Sequence, residues 1–240
     1  KGLDKSLARQ VERGKRTEDD AAALRARVRG TTDIANLANC DLVIESVVED
    51  LEVKLPLFRE LDAAVKEGAI LATNTSSISI TQLAAQISHP ERFIGMHFFN
   101  PVPMMALVEI IRGLQTSDTT HDRVAAMAKS LGKEPITVKN APGFVVNRIL
   151  LPMINEAFFV LAEGIASAED IDAGMKLGCN HPIGPLALAD MIGLDTCLAV
   201  MEVYFNNFND SKYRPCPLLR EMVSAGYLGR KTGKGVYSYT

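Results

Sequence analysis

Apolar and polar positions fall into blocks along this chain, and the block lengths change near residue 140. Before that point short apolar runs of strand length recur: residues 41–48, 69–73, 93–99, 107–111 and 135–139 read as strands. Residues 51–66, 80–87 and 118–131 read as amphipathic helices between them. The first strand has the continuous apolar character of a parallel strand buried on both faces, broken only by Glu45 and Ser46. Strand and helix in alternation imply right-handed βαβ crossovers, a parallel sheet covered on both faces, and ligands bound at the carboxyl ends of the strands. Glu49, Asn74 to Ser77 and Asn100 lie at such ends.

Two further helices are expected upstream, over 2–14 and 17–30, the second opened by Thr17 with Asp20 in capping-box spacing and closed by glycine. Ser6 and Arg13 are seven residues apart and share a face of the first. That face could grip a ligand phosphate; a solvated helix surface is the commoner reason for such charge. Beyond the punctuation Asn140-Ala141-Pro142-Gly143, strand patterning stops and helices are expected over 144–163, 168–177, 185–208 and 217–225, with a kink at Pro152. The chain therefore divides into an α/β unit, 1–140, and an all-α unit, 141–240. So much apolar helical surface in the second unit predicts that a second subunit covers part of it, giving a homodimer.

A net charge of −3 over 240 residues leaves no electrostatic footprint for nucleic acid or an anionic membrane. No apolar run reaches membrane-spanning length and the basic N-terminal stretch lacks a signal-peptide core, so a cytoplasmic protein is expected. Four scattered cysteines without a CxxC pair, and equally scattered histidines, give no support for a metal site. The tail Gly229-Arg230-Lys231-Thr232-Gly233-Lys234-Gly235 lacks the spacing of a phosphate loop. It reads either as a basic turn or as a lysine reaching back into a cleft.

The strongest candidate chemistry sits in Phe93 to Met104. If the turn near Pro103 joins two antiparallel strands, residues whose numbers sum to about 206 face each other, and His97 and Glu109 meet that sum. A carboxylate beside an imidazole fixes its tautomer and supports the imidazolium formed when it takes a proton. From the residues alone, a core histidine bonded to a backbone carbonyl stays open as the alternative.

Four motifs in order, Asn74-Thr75-Ser76-Ser77, Gly95-Met96-His97-Phe98-Phe99-Asn100-Pro101, Pro142-Gly143-Phe144-Val145-Val146-Asn147-Arg148 and Gly193-Leu194-Asp195, closely resemble the L-3-hydroxyacyl-CoA dehydrogenases, in particular the bacterial 3-hydroxybutyryl-CoA dehydrogenases. The resemblance runs the length of the chain. It implies a Rossmann-type sheet domain followed by a helical domain for substrate binding and dimerisation. It implies oxidation of an (S)-3-hydroxyacyl-CoA with NAD, and the reverse reduction, with NADP as the alternative cofactor. His97 corresponds to the general base, Glu109 to the acid that orients it, and Ser76 and Asn147 to the active-site serine and asparagine. Glu49, Lys54, Ser76, Asn100 and Lys231 are implied near the nicotinamide half of the cofactor, and Ser6, Arg13 and Ser76 against coenzyme A. Members of the family usually carry lysine where Arg13 stands, and they open with a strand, a GxGxxG turn and a helix that this sequence does not contain. The Rossmann-type sheet is accordingly expected to be incomplete at its N-terminal side. A truncated non-catalytic acyl-CoA-binding dimer and a related hydroxy-acid dehydrogenase are the competing readings.

Overall fold

The structure, a computed structural model, describes residues 2–239. Five strands form one sheet in sequence order: β1 (Leu42–Glu45), β2 (Ile70–Thr73), β3 (Phe93–Phe98), β4 (Leu107–Arg112) and β5 (Glu134–Lys139). The first three run parallel, β4 is antiparallel to β3, and β5 is parallel to β4. Helices α1 (Gly2–Glu12) and α2 (Glu18–Ala26) pack on each other, α3 (Leu51–Ala64) and α4 (Ile80–Ala84) cover one sheet face, and α5 (Asp118–Ser130) covers the other.

Because successive strand residues point to opposite faces, each strand feeds two cores. Leu71, Phe93, Ile111 and Val138 meet Phe58, Leu61, Ile80 and Leu83 on one side. Ile70, Ala72, Ile94, Met96 and Ile110 meet Val124 and Ala128 on the other. His97 and Glu109 fall on the same face as Phe93 and Ile111, so the candidate pair is the polar end of an otherwise apolar layer.

A third core belongs to α6 (Val146–Ala162), α7 (Ala168–Gly178), α8 (Pro185–Ile192), α9 (Leu194–Phe208) and α10 (Pro217–Ser224). Leu151, Ile154 and Phe158 pack there against Leu186, Ala189, Met201 and Leu219. Two buried carboxylates tie the tail to it. Asp190 accepts from the N–H groups of Val236 and Tyr237 and from the Tyr239 hydroxyl, each at 2.9 Å. Asp172 accepts from the N–H groups of Leu186 and Ala187 at 2.8 and 2.9 Å and from the Tyr237 hydroxyl at 2.8 Å.

Four elements differ from the pattern-based expectation, the helix expected over 80–87 being one, since it stops at Ala84. The first strand ends at Glu45 rather than Val48, because the Glu45 carboxylate takes the Val47 N–H at 2.6 Å and turns the chain out of the sheet. Residues 185–208 form two helices, because Gly193 adopts φ 106° and ψ 125°, which stops α8 and opens α9 without interrupting the apolar periodicity. The helix opened by Thr17, whose hydroxyl accepts from the Asp20 N–H at 3.1 Å, ends at Ala26 on an ordinary helical cap and not on a glycine. Pro152 is accommodated inside α6.

The junction between the two cores is tight. Gly143 has φ 77° and Phe144 φ 53°, so two left-handed residues in succession aim the start of α6 back at the sheet. A Cβ on Gly143 would lie 1.9 Å from the hydroxyl oxygen of the buried Tyr204. Gly143→Ala is therefore expected to destabilise the protein by roughly 2–4 kcal/mol through backbone strain and overpacking together. Thermal melting checks this, and adding Tyr204→Phe should recover part of the loss by removing the clashing atom.

Candidate active site

The antiparallel register pairs His97 directly with Glu109. The two side chains meet at 2.7 Å between His97 Nδ1 and Glu109 Oε2, with Glu109 wholly enclosed and His97 nearly so. A carboxylate can only accept, so Nδ1 carries the proton and Nε2 is left with its lone pair. The imidazole packs against the rings of Phe99 and Phe144, at 4.6 and 5.6 Å between centroids. An imidazole walled by aromatics and oriented from behind by a carboxylate is built to move a proton through Nε2.

The other oxygen of Glu109 serves the second domain. Oε1 accepts from the N–H groups of Val145 and Val146, both at 3.0 Å. These belong to the cap and first residue of α6, groups with no partner inside their own helix, and the positive end of the helix favours the charge they meet. Burial pushes the Glu109 carboxyl up, and the bonds from His97, Val146 and Val145 more than offset it, holding the group below the usual carboxylate range. Asn147 follows immediately, half-buried on the first turn of α6. One carboxylate thus fixes both the base and the helix start that carries the asparagine.

Ser76 is positioned by a different acid. Glu49 Oε1 accepts from the Thr75 hydroxyl at 2.6 Å, from the Ser76 N–H and hydroxyl at 2.9 and 3.2 Å, and from the Ser77 N–H and hydroxyl at 3.0 Å each. Burial works to raise the Glu49 pKa, but the Thr75, Ser76 and Ser77 bonds and the Lys54 charge prevail and lower it. The loop is also tied to the histidine strand, since Asn74 Oδ1 accepts from the Phe98 N–H at 2.8 Å while its amide donates to the Ser46 hydroxyl at 2.9 Å. Ser76 and His97 therefore sit on segments joined by a hydrogen bond.

The remaining sequence-derived candidates are spread more widely. Lys54 is 1% exposed and lies behind Glu49, its ammonium 2.6 Å from Glu45 Oε1 and 3.6 Å from Glu49 Oε2. Asn100 is exposed just past the end of β3. Lys231 pairs with both oxygens of Asp195, at 2.5 and 2.6 Å, on the first turn of α9, and makes no ion pair with the Glu49 cluster. Ser6 lies on the exposed side of α1, where it accepts a long 3.5 Å bond from Gln10, and Arg13 is exposed one residue past its end. The site roles of Glu45 and of the Val145 and Val146 N–H groups were not identified from pattern. Only Glu45 left a sequence signal, as a carboxylate inside an apolar strand.

The donor set suits a nicotinamide dinucleotide. Glu49 offers an anionic acceptor for ribose hydroxyls and Asn100 an amide for a carboxamide, both at carboxyl ends of parallel strands. Alongside lies a cavity of about 320 Å³ lined by Ser77, Ile78 and Gln82 from the sheet domain and by Val203 and Asn207 from α9. Among the described residues no cluster of His, Cys, Asp and Glu is arranged to hold a metal ion, and no helix is long and apolar enough to cross a membrane.

Comparison with known proteins agrees with this geometry. Residues 1–141 match the model of the 3-hydroxyacyl-CoA dehydrogenase NAD binding domain, and residues 143–239 match that of the 3-hydroxyacyl-CoA dehydrogenase C-terminal domain. A probable 3-hydroxybutyryl-CoA dehydrogenase of Deinococcus radiodurans is 55% identical over 99% of this chain and 85% of its own length. The 3-hydroxybutyryl-CoA dehydrogenase of Clostridioides difficile is 53% identical over 99% of this chain and 84% of its own. Among solved structures, the (S)-3-hydroxybutyryl-CoA dehydrogenase of Ralstonia eutropha superimposes with a TM-score of 0.97 at 65% identity, covering 98% of this chain and 83% of that one.

The depressed Glu109 pKa has a consequence for stability. A carboxyl whose folded pKa lies below its unfolded value stabilises the fold fully above the unfolded value, and that contribution fades as pH falls through the folded one. Glu109→Gln is expected to cost about 3 kcal/mol at neutral pH. The gap between variant and wild type should close below the ordinary carboxylate range, as read by urea denaturation at a series of pH values.

Proposed function

The chain belongs to the 3-hydroxyacyl-CoA dehydrogenase family, and we propose that it interconverts (S)-3-hydroxybutyryl-CoA and acetoacetyl-CoA with NAD, using His97 as general base and acid. The observation that carries this reading is the 2.7 Å bond from His97 Nδ1 to Glu109, which leaves Nε2 to face the reacting hydroxyl. The chemistry NAD supplies when bound is acceptance of a hydride from C3 of the substrate. His97 Nε2 removes the C3 hydroxyl proton as the carbonyl forms, and Glu109 stabilises the resulting imidazolium across the Nδ1–H bond. In the reducing direction the same nitrogen returns the proton to the developing alkoxide.

Ser76 and Asn147 orient the reacting oxygen. Glu49, Asn100 and Lys231 hold the nicotinamide half of the cofactor, with Lys54 behind Glu49, and Ser6, Arg13 and Ser76 hold coenzyme A. The aromatic walls of Phe99 and Phe144 limit water near Nε2, which strengthens each electrostatic contact there. An intact base, orienting acid, serine and asparagine favour a working enzyme over a non-catalytic acyl-CoA-binding remnant.

We also propose a homodimer through the helical domain. An apolar cavity of about 470 Å³ runs along α6 and α7, lined by Met153, Ala157, Val160, Ile171 and Met175. Ile149, Ile165 and Leu177 are exposed on the same two helices and the turn between them, at 68%, 66% and 87%. An apolar surface of this kind is commonly covered by a second subunit.

The direct test is oxidation of NADH by the full chain with acetoacetyl-CoA, followed by near-ultraviolet absorbance. Turnover is expected; none from a folded protein would favour the truncated, non-catalytic acyl-CoA-binding reading instead. Glu109→Gln should lower kcat by about 10⁴-fold, because an amide nitrogen facing Nδ1 moves the histidine proton to the nitrogen that must act as base. For the interface, Met175→Glu should convert the dimer to a monomer in sedimentation velocity, and an unchanged dimer would place the interface elsewhere.

A further inference from the structure

Glu45 takes no part in the reaction as described, yet its side chain is as fully enclosed as that of Glu109. Its Oε1 accepts from the Val47 N–H and from Lys54 Nζ, each at 2.6 Å, and its Oε2 from the Thr73 hydroxyl at 2.7 Å. Since a carboxylate only accepts, the Thr73 hydroxyl must donate to it, which leaves the Thr73 oxygen free to accept the Thr75 N–H at 3.2 Å. On the other side, Lys54 Nζ stands between two acids, bonded to Glu45 and held 3.6 Å from Glu49 Oε2. Two connected routes therefore run from Glu45 to the Ser76 loop, one through Thr73 and Thr75 and one through Lys54 and Glu49.

We propose that Glu45 is a positioning residue of the dehydrogenase site, anchoring Lys54 and Thr73 so that Glu49 keeps the Ser76–Ser77 loop in its reactive placement. The inference rests on the function proposed above. Its logic is a competition for one ammonium. With Glu45 present, Lys54 is drawn inward and Glu49 spends its Oε1 on the serine loop donors. Without the Glu45 charge, the buried lysine keeps Glu49 as its only carboxylate partner beside the neutral Val47 carbonyl at 3.5 Å, and closing the 3.6 Å gap to Glu49 pulls that acid away from Ser76 and Ser77. A buried ion pair that merely stabilised the β1–α3 unit would show no such link to turnover.

The experiment compares the wild-type chain with Glu45→Gln, Lys54→Met and the double variant, measuring melting temperature and steady-state NADH oxidation with acetoacetyl-CoA. Glutamine preserves size and the Val47 contact while removing the charge. Misplacement of a reacting group by about 1 Å costs on the order of 10²-fold in rate. Glu45→Gln is therefore expected to lower kcat by roughly 10- to 100-fold while KM for acetoacetyl-CoA changes little. In the double variant Glu45→Gln should add almost nothing to the loss caused by Lys54→Met, since the larger share of its effect passes through that lysine. Wild-type kcat in Glu45→Gln, or losses that simply multiply in the double variant, would overturn the proposal. If Glu45→Gln does not fold, Glu45→Asp decides: it keeps the charge one methylene short and should give an intermediate kcat, whereas wild-type kcat or failure to fold argues for a structural role alone. No turnover in the wild type overturns the dehydrogenase reading itself, and this inference with it.

Discussion

Everything in the site depends on where the Glu109 carboxylate is held. It lies on β4, reaches His97 on β3 with one oxygen and receives the first N–H groups of α6 with the other. An enclosed carboxylate needs such partners to stay charged, because burial alone would favour its neutral form. Its partners come from the sheet and from the start of α6, so the requirement that satisfies it also sets the angle at which the helical domain meets the sheet. The left-handed pair Gly143 and Phe144 is the backbone form of the same requirement, since only a sharp turn brings the start of α6 back to β4. Geometry of catalysis and geometry of domain contact are one constraint here.

A second acid organises the opposite wall. Glu49 gathers the hydroxyls and N–H groups of a serine-rich loop, and that loop is stitched to the histidine strand through Asn74. Serine 76 in isolation has the character of a turn residue. Its place in the fold is set by an acid, not a neighbouring helix, which holds both its N–H and its hydroxyl.

The sequence carried much of this arrangement because strands of alternating period announce their pairing. The His97–Glu109 contact was legible from a turn near Pro103 and a sum of residue numbers, since antiparallel register leaves little freedom once the turn is placed. The strand and helix order through residue 140 was legible for the same reason. The break at Gly193 was not, because apolar periodicity runs through it and a single glycine can be tolerated within a helix or end one. Nor was the early end of β1, which depends on a side chain of that strand capturing a backbone N–H two residues on. Asn147 and Ser76 stood out only through motif resemblance, because what surrounds each is supplied by segments distant in the chain.

The tail has a consequence for how the chain is made. Asp172 and Asp190 are enclosed within the helical core, and part of what neutralises their burial is supplied by Val236, Tyr237 and Tyr239. During synthesis those partners emerge after every one of the core-forming helices. Until then Asp190 lacks the three donors of the tail and Asp172 lacks the Tyr237 hydroxyl. The helical domain is thus latched by a segment that follows all of its helices along the chain, so its packing is completed only once that segment has been made.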